Sequence, residues 1–448
     1  MKIALISHHF PPNFRGGAEQ YAYRIAQGLR RQGHNVEVVC VESITSGMLT
    51  PTAKTDTFDG LTIHRLFYDL AQAPNRFEWS FRHPELGCWV KNFLQQTRPD
   101  VVHINSGYIL GGKVIEAARE LNLPTVLTLH DYWFLCPQIT LLRQDGHICH
   151  QPVSPARCVW CAISEKRRYR LIDTQLNGKI GDAFSRLSQA DWFSQLLGLQ
   201  PRLELMAERR AYLKRVLEEI DIVISPSRFL IDKVEEYGFK PRQMVYLPFG
   251  IDTAHLAAPP AAAAAPKKLR IGYLGQLVPH KGVHLLLDAF KMLARQPGAC
   301  ELILHGKISE ATAYERQLLK MGEADPDITF AGPYPNTEVG RVLNELDVIV
   351  VPSIWYENRP TVIIEAMATR TPAVVARLGG MAELVKHNHN GLLFDSGNVT
   401  SLAAQLQRLL NEPTLLAQLR QNIPPIPKAE DELNTIVSLY QSLVKQTV

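Results

Sequence analysis

At 448 residues the chain is too long for one hydrophobic core, and two domains are the natural expectation. Its apolar fraction of 46% and formal net charge of +4 describe a globular protein of mildly basic balance. That balance suits anionic substrates or a membrane surface and does not call for nucleic acid. The sequence holds no apolar run of the roughly eighteen residues that a bilayer span needs. The opening MKIALISHHFPP has too short an apolar stretch for a signal peptide and is expected to be a first strand. Seven cysteines, an odd number with no export signal, point to reduced thiols and a cytoplasmic protein.

In chain order, Lys2 to Ser7 (KIALIS) reads as a buried strand. The loop from His8 ends in Arg15-Gly16-Gly17, and Ala18 to Gln32 reads as a helix with Tyr21, Ile25 and Leu29 on one face. Gly33 is its expected stop, and Val36 to Val41 is the second strand. The unit resembles a nucleotide-binding fold without the full G-x-G-x-x-G fingerprint. Paired glycines at a helix start let backbone approach a ligand closely, or simply make a tight turn. Further strands read at Asp100 to Ile104, Thr125 to Leu129 and Ile222 to Ser225. His130 and Asp131 follow the second of these, and the end of a parallel strand is the ligand edge of such a sheet. A purely structural histidine is the alternative.

Cys136, Cys149, Cys158 and Cys161 crowd into twenty-six residues, with His147 and His150 between them. Four thiolates can close a tetrahedral zinc site and so order a small loop-rich insertion. Buried thiols and a redox pair are the competing readings. Residues 165–219 have helical composition and carry two basic runs, Lys166 to Arg170 and Arg209 to Arg215. Trp192, Phe193, Leu196, Leu197 and Leu199 form an apolar cluster between them. Such a segment can lie on a membrane interface or pack as solvated helices on the first domain.

PPAAAAAPKK, residues 259–268, is the clearest linker. The strand–helix rhythm restarts after it: strands at Leu269 to Leu274, Glu301 to Leu304, Ile328 to Phe330, Asp347 to Val351, Ala373 to Ala376 and Gly391 to Phe394. Helices are expected at Gly282 to Arg295, near Glu310 to Met321, and at Asp431 to Val444. Alternation in both halves predicts two doubly wound α/β domains facing a cleft. Gly275-Gln276-Leu277 ends the first strand of the second domain, Lys281-Gly282 starts its helix, and His305-Gly306-Lys307 ends the next strand. A cation at a helix start opposes the helix dipole unless an anion joins them, which implies a phosphate.

The stretch Glu357-Asn358-Arg359-Pro360-Thr361-Val362-Ile363-Ile364-Glu365 lies between a buried strand and the helical EAMATR. Pro360 suits the first helical turn, and free N–H groups at Asn358, Thr361 and Val362 would favour an anion by roughly 0.3–1 kcal/mol. Two carboxylates beside an anion site make sense for a hydroxyl-rich ligand, since a carboxylate accepts two sugar hydroxyls. A capping Glu and a surface Glu are the plainer reading.

At these residues the chain resembles the retaining GT-B-fold glycosyltransferases of family GT4, over essentially its whole length. The E-x7-E pair followed by EAMA, Lys281-Gly282, the Gly16-Gly17 loop and the PSRF segment at Pro226 stand in the family's order. Each is weak alone, and their order is specific. The resemblance implies an acceptor-side domain at 1–252 with the Cys-bearing and helical segment at about 136–219. A linker at 253–268, a nucleotide-sugar donor domain at 269–427 and a terminal helix at 428–448 crossing back to the first domain would follow. It implies that Lys281 binds the donor diphosphate and Gly17 lies by the phosphates. Glu357 would hold the transferred sugar, Glu365 the ribose hydroxyls, and His130 would lie near the anomeric centre. Gly16, Gln276, Gly306, Asn358, Arg359, Pro360 and Thr361 complete the implied donor site. The family usually has Arg where Gln276 stands, so Arg15, Arg359 or Lys307 would have to compensate.

The implied reaction moves a sugar from a nucleoside-diphosphate sugar to a hydroxyl of a sugar or lipid-linked acceptor, in polysaccharide, glycolipid or glycoconjugate synthesis. No cofactor is required for it, since Lys281 and helix ends carry the leaving-group charge. No carboxylate is clearly placed as a nucleophile, which favours front-face attack with retention. A cytoplasmic-face membrane contact is compatible with the basic segment. The competing readings are a sugar-nucleotide epimerase and a weakly catalytic sugar-nucleotide-binding protein of the same fold.

Overall fold

The computed structural model describes residues 1–190, 198–253, 256 and 268–447. The expected linker lies outside the described residues except for Lys268, and so do Trp192, Phe193, Leu196 and Leu197. The chain divides into two compact units: Met1–Pro226 with Leu230–Leu247 and Leu433–Val448, and Ser227–Phe229 with Pro248–Glu432.

The first unit is built on an eight-stranded sheet. Its strands are β1 (Lys2–Ser7), β2 (Asn35–Ser43), β3 (Thr52–Phe58), β4 (Leu61–Phe67), β5 (Val101–Asn105), β6 (Thr125–Thr128), β7 (Ile222–Ser225) and β8 (Met244–Tyr246). Their order is β3-β4-β2-β1-β5-β6-β7-β8, and all neighbours are parallel except β3 with β4. Ile3 to Ile6 are essentially inaccessible, as a strand covered on both faces requires. The β3–β4 hairpin was not expected from the sequence. Its strand TAKTDTF is polar and largely exposed, a suitable edge, and the turn Asp59-Gly60 has positive φ at both residues. The sheet reverses direction beside β1, where β2 leaves on one side and β5 on the other. That switch point opens a crevice at the C-terminal strand ends.

In the second unit β9 (Leu269–Leu274), β10 (Cys300–His305), β11 (Ile328–Phe330), β12 (Val348–Val351), β13 (Ala373–Ala376) and β14 (Gly391–Phe394) form a wholly parallel sheet. The order is β11-β10-β9-β12-β13-β14, so the switch point lies between β9 and β12. The observed bounds mostly depart from the expected ones by a residue or two; helix Val283–Lys291 stops four residues early, helix Ala313–Gly322 starts three late and helix Ala429–Thr447 ends three late.

The segment after β6 holds helices Pro155–Ile163, Arg167–Gln175, Lys179–Leu187 and Gln200–Glu218. Val159, Trp160, Phe184, Leu199 and Met206 make a small core of their own there. The last helix, Ala429–Thr447, buries Leu433, Ile436, Tyr440 and Leu443. From Leu433 onward it belongs to the first unit. Leu433 packs on Gly28, and the Tyr440 hydroxyl meets His103 Nδ1 at 2.5 Å, while His103 Nε2 meets Thr128 Oγ1 at 2.8 Å. Among the described residues no helix is long and apolar enough to cross a membrane.

Candidate functional site

In the second unit the loops after β9 and β12 are locked together. Gly282 has φ of 71°, and a Cβ there would stand 2.0 Å from the Pro352 carbonyl oxygen, so only glycine fits. Ile354 N–H donates to the His280 carbonyl at 2.9 Å. The loop after β13 closes on the same place, because Gly380 lies against the Asn358 carbonyl and donates its N–H to Glu357 O at 2.8 Å.

These contacts bring Lys281 Nζ to 2.6 Å from Glu357 Oε1. Ser353 Oγ and Trp355 Nε1 each donate to the same oxygen at 2.8 Å. Lys281 also lies over the Trp355 ring, 5.5 Å from its centroid. Lys281 sits in a short 3₁₀ turn, Pro279–Lys281, just before the helix that it was expected to start, and Glu357 supplies it with an anion from the chain itself. With Oε1 saturated, a ligand hydroxyl at Glu357 would turn to Oε2.

Glu365 has the opposite character. Its carboxylate meets no hydrogen-bond donor among the described residues, and burial lifts its pKa to about 7. The Tyr334 phenol lies within its field. A half-buried carboxylate that no donor of the described residues meets can accept ligand hydroxyls. Pro360 is the cap of helix Thr361–Ala368 rather than its first residue, Asn358 is buried, and Arg359 is half-buried. Gln276 is exposed at the end of β9, and Gly306 packs on the Gly275 carbonyl, which a side chain would block. Lys307 is exposed on the next loop. Ser353, Trp355, Tyr334 and Tyr273, whose hydroxyl donates to the Gln276 carbonyl at 2.6 Å, were not singled out from the sequence. Trp355 and Ser353 precede Glu357 closely enough to have been suspected.

At the switch point of the first unit, Gly16 caps helix Gly17–Arg31. A side chain at Gly16 would collide with the Glu19 carboxylate, whereas a Cβ at Gly17 meets nothing within 4 Å. Gly17 is exposed, and packing leaves the space beside it free. Arg15 donates to the Pro12 carbonyl. Glu19 pairs with His8 at 3.2 Å. His130 follows β6 at the same edge, its ring 4.8 Å from that of Tyr21 and its Nε2 3.5 Å from Asn105 Oδ1. Burial, with help from His8 and His103, lowers its pKa to about 3, so the imidazole is neutral at physiological pH. Asp131 accepts from Ser106 Oγ and Trp133 N–H, each at 2.8 Å. His8, Glu19, Tyr21 and Asn105 are further ligand-edge residues that pattern alone did not mark.

The four cysteines of the insertion converge. Cys136, Cys149, Cys158 and Cys161 all line one cavity of about 50 Å³, with Arg209, Arg210 and Tyr237. No disulfide joins them. Burial, and next the neighbouring thiols, push Cys149 and Cys158 up to about 12. Among the described residues no group of three or more His, Cys, Asp or Glu side chains is already arranged to hold a metal ion. His147 is instead engaged with Asp145, at 3.2 Å.

Two mainly parallel sheets, each with a switch point at its C-terminal strand ends, define a protein of two Rossmann-like halves. Comparison with known proteins makes this specific. The family described as Glycosyltransferase Family 4 matches residues 15–174, and that described as Glycosyl transferases group 1 matches residues 258–424. Together the two matches cover most of the chain and mark it as a GT4-like glycosyltransferase with the GT-B fold. It is 26% identical to the amylovoran biosynthesis glycosyltransferase AmsK of Erwinia amylovora over 54% of this chain and 59% of that protein. An uncharacterized glycosyltransferase of Methanocaldococcus jannaschii is 23% identical over 92% of this chain and 90% of its own length. The chain spans about half the length of the D-inositol 3-phosphate glycosyltransferases that it matches. Among solved structures, sucrose-phosphate synthase from Thermosynechococcus elongatus superposes with a TM-score of 0.66 at 19% identity, covering 99% of both chains. Anabaena HepE with UDP and glucose gives 0.63 at 16% identity, covering 100% of this chain and 99% of that one.

Proposed function

We propose that the chain transfers a sugar from a nucleoside-diphosphate sugar to a hydroxyl acceptor with retention of anomeric configuration, in the building of a polysaccharide or glycoconjugate. The observation that carries this reading is the second-unit site. There a Lys–carboxylate pair stands at the β9/β12 switch point, and a donor-less carboxylate lies one helix further on. Glu365 would take the two ribose hydroxyls, which supply the donors it lacks. Glu357, through Oε2, would hold hydroxyls of the transferred sugar.

Negative charge builds on the leaving diphosphate as the C1–O bond breaks. Lys281 can share its charge between Glu357 and that phosphate, and the start of helix Thr361–Ala368 adds N–H groups. Glu357 thereby has a second task, holding Lys281 in place before the donor arrives. The arrangement asks for no divalent metal at the leaving group. Gln276 leaves the site one cation short of its family's usual pattern, and Arg359 and Lys307, which follow strands of the same sheet, are the candidate substitutes. Glu357 is taken up by Lys281, Ser353 and Trp355, which supports front-face attack over a covalent glycosyl-enzyme. His130, neutral, offers a hydrogen bond rather than a charge to the sugar. HepE was solved with UDP and with UDP-glucose, which makes uridine the first base to test.

A thermal-shift screen of nucleoside diphosphates and their sugars tests the donor class. A ligand at a hundred times its Kd stabilises by roughly 2.7 kcal/mol. Proton NMR of the first-formed product anomer then tests retention. An inverted anomer would overturn the stereochemical reading, and conversion of the donor without any acceptor would point to an epimerase.

A further inference from the structure

The cysteine cluster is outside the sugar chemistry and carries its own function. Its four thiols come from three separate places, a turn after β6, a loop, and two positions one turn apart on helix Pro155–Ile163, yet all face one small cavity. Chance burial of four cysteines would not need the backbone distortion seen around the first. Ile139 and Leu141 both adopt the left-handed region, with φ of 57° and 53°. For a β-branched residue such as Ile139 that conformation is a true outlier and is strained. The turn is tied by Ile139 N–H donating to the Cys136 carbonyl at 3.0 Å and by Cys149 N–H donating to the Leu141 carbonyl at 2.8 Å, so the same backbone turn joins the segments that carry the first two cysteines.

The charge balance says the same. Arg209 is 3% exposed, donates to the Trp133 carbonyl and lies over the Trp133 ring. Among the described residues no carboxylate pairs with it, and it lines the same cavity as the four cysteines. A guanidinium buried without an anion is severely unfavourable. Thiolates at the cavity would supply the missing charge.

We propose that Cys136, Cys149, Cys158 and Cys161 bind one structural Zn²⁺, with Arg209 as the buried counter-charge. Four thiols lose four protons to solvent as four S–Zn bonds form, leaving a centre of net charge −2 that Arg209 and Arg210 offset. The thiols close on the cavity by side-chain rotation, since they are not yet at ligand spacing. Four thiolates leave no open position for water, so the metal is structural and takes no part in sugar transfer. It fixes the polar segment that Lys233 and Tyr237 grip through the carbonyls of His150 and Gln151.

The test is elemental analysis of the full chain, purified without chelator or polyhistidine tag, followed by cobalt exchange. About one zinc per chain is expected, and the cobalt form should show the intense thiolate-to-metal absorption of a four-sulfur tetrahedral site. Strong chelator should release the zinc and lower Tm, and Cys149→Ser should lose most of the metal while any residual folded fraction keeps it weakly. Arg209→Met should release zinc to a chelator faster than wild type. Less than about a tenth of a zinc per chain with all thiols reduced would overturn the proposal. A disulfide between any two of the four in the native protein would do so as well.

Discussion

Glu365→Gln should make the protein more stable and less able to bind its donor. The carboxylate is pushed from its ordinary 4.5 to about 7 by burial, with no donor to soften the shift. The folded-state pKa lies above the unfolded one. The penalty is therefore absent below about pH 4.5, grows as pH rises to about 7, and is constant above. A shift of about 2.5 units at 1.36 kcal/mol each is roughly 3 kcal/mol, and partial access to solvent trims this toward 2. Urea denaturation of wild type and variant at pH 5 and pH 8 reads the effect directly. Glutamine keeps the shape and removes the charge, so the variant should gain roughly 2–3 kcal/mol at pH 8 and little at pH 5. The same variant should bind nucleoside diphosphates without the loss of affinity that wild type shows as pH falls through about 7. An unchanged stability at pH 8, or a gain that is equal at both pH values, would refute the reasoning and imply that donors reach the carboxylate.

Tyr440→Phe removes the hydroxyl that meets His103 in a fully buried position, and should cost about 1–3 kcal/mol in urea denaturation. A change below about 0.5 kcal/mol would mean that this contact does not anchor the terminal helix. Gln276→Arg should fold normally and hold a nucleoside diphosphate at least as tightly by calorimetry, because residue 276 is exposed beside the site. A folded but inactive variant would show that the glutamine has a specific task. His130→Ala should lower kcat at least about tenfold while leaving nucleotide affinity intact. A parallel fall in affinity and Tm would assign His130 a structural role instead.

Much of the fold was legible because parallel strands buried on both faces are written as unbroken apolar runs. KIALIS, IVIS, LRIGYL and AVVA each declare themselves this way. The β3–β4 pair was missed because an edge hairpin is polar by necessity, and only the Asp59-Gly60 turn marks it. At the site, residue types at strand ends gave Lys281, Glu357 and Glu365 as candidates. Their pairing was not visible, since it depends on Gly282 meeting the Pro352 carbonyl, seventy residues away in sequence. Spacing alone did not show that the chain itself supplies Lys281 with a carboxylate. Cysteine spacing suggested convergence, but the strained turn at Ile139 and the stranded Arg209 guanidinium emerge only in three dimensions.

The central claim is that the site around Lys281 takes a nucleoside-diphosphate sugar and stabilises its leaving group. Release of free nucleoside diphosphate from a panel of sugar donors, compared between wild type and Lys281→Ala at saturating donor, tests it most directly. One donor class should give saturable, acceptor-stimulated release in wild type. Lys281→Ala should cut it by two or more orders of magnitude, since one such donor in a closed electrostatic site is worth roughly 2.7–4 kcal/mol. Near-wild-type release from Lys281→Ala, or no release and no nucleotide binding by folded wild type with any donor, would contradict the account.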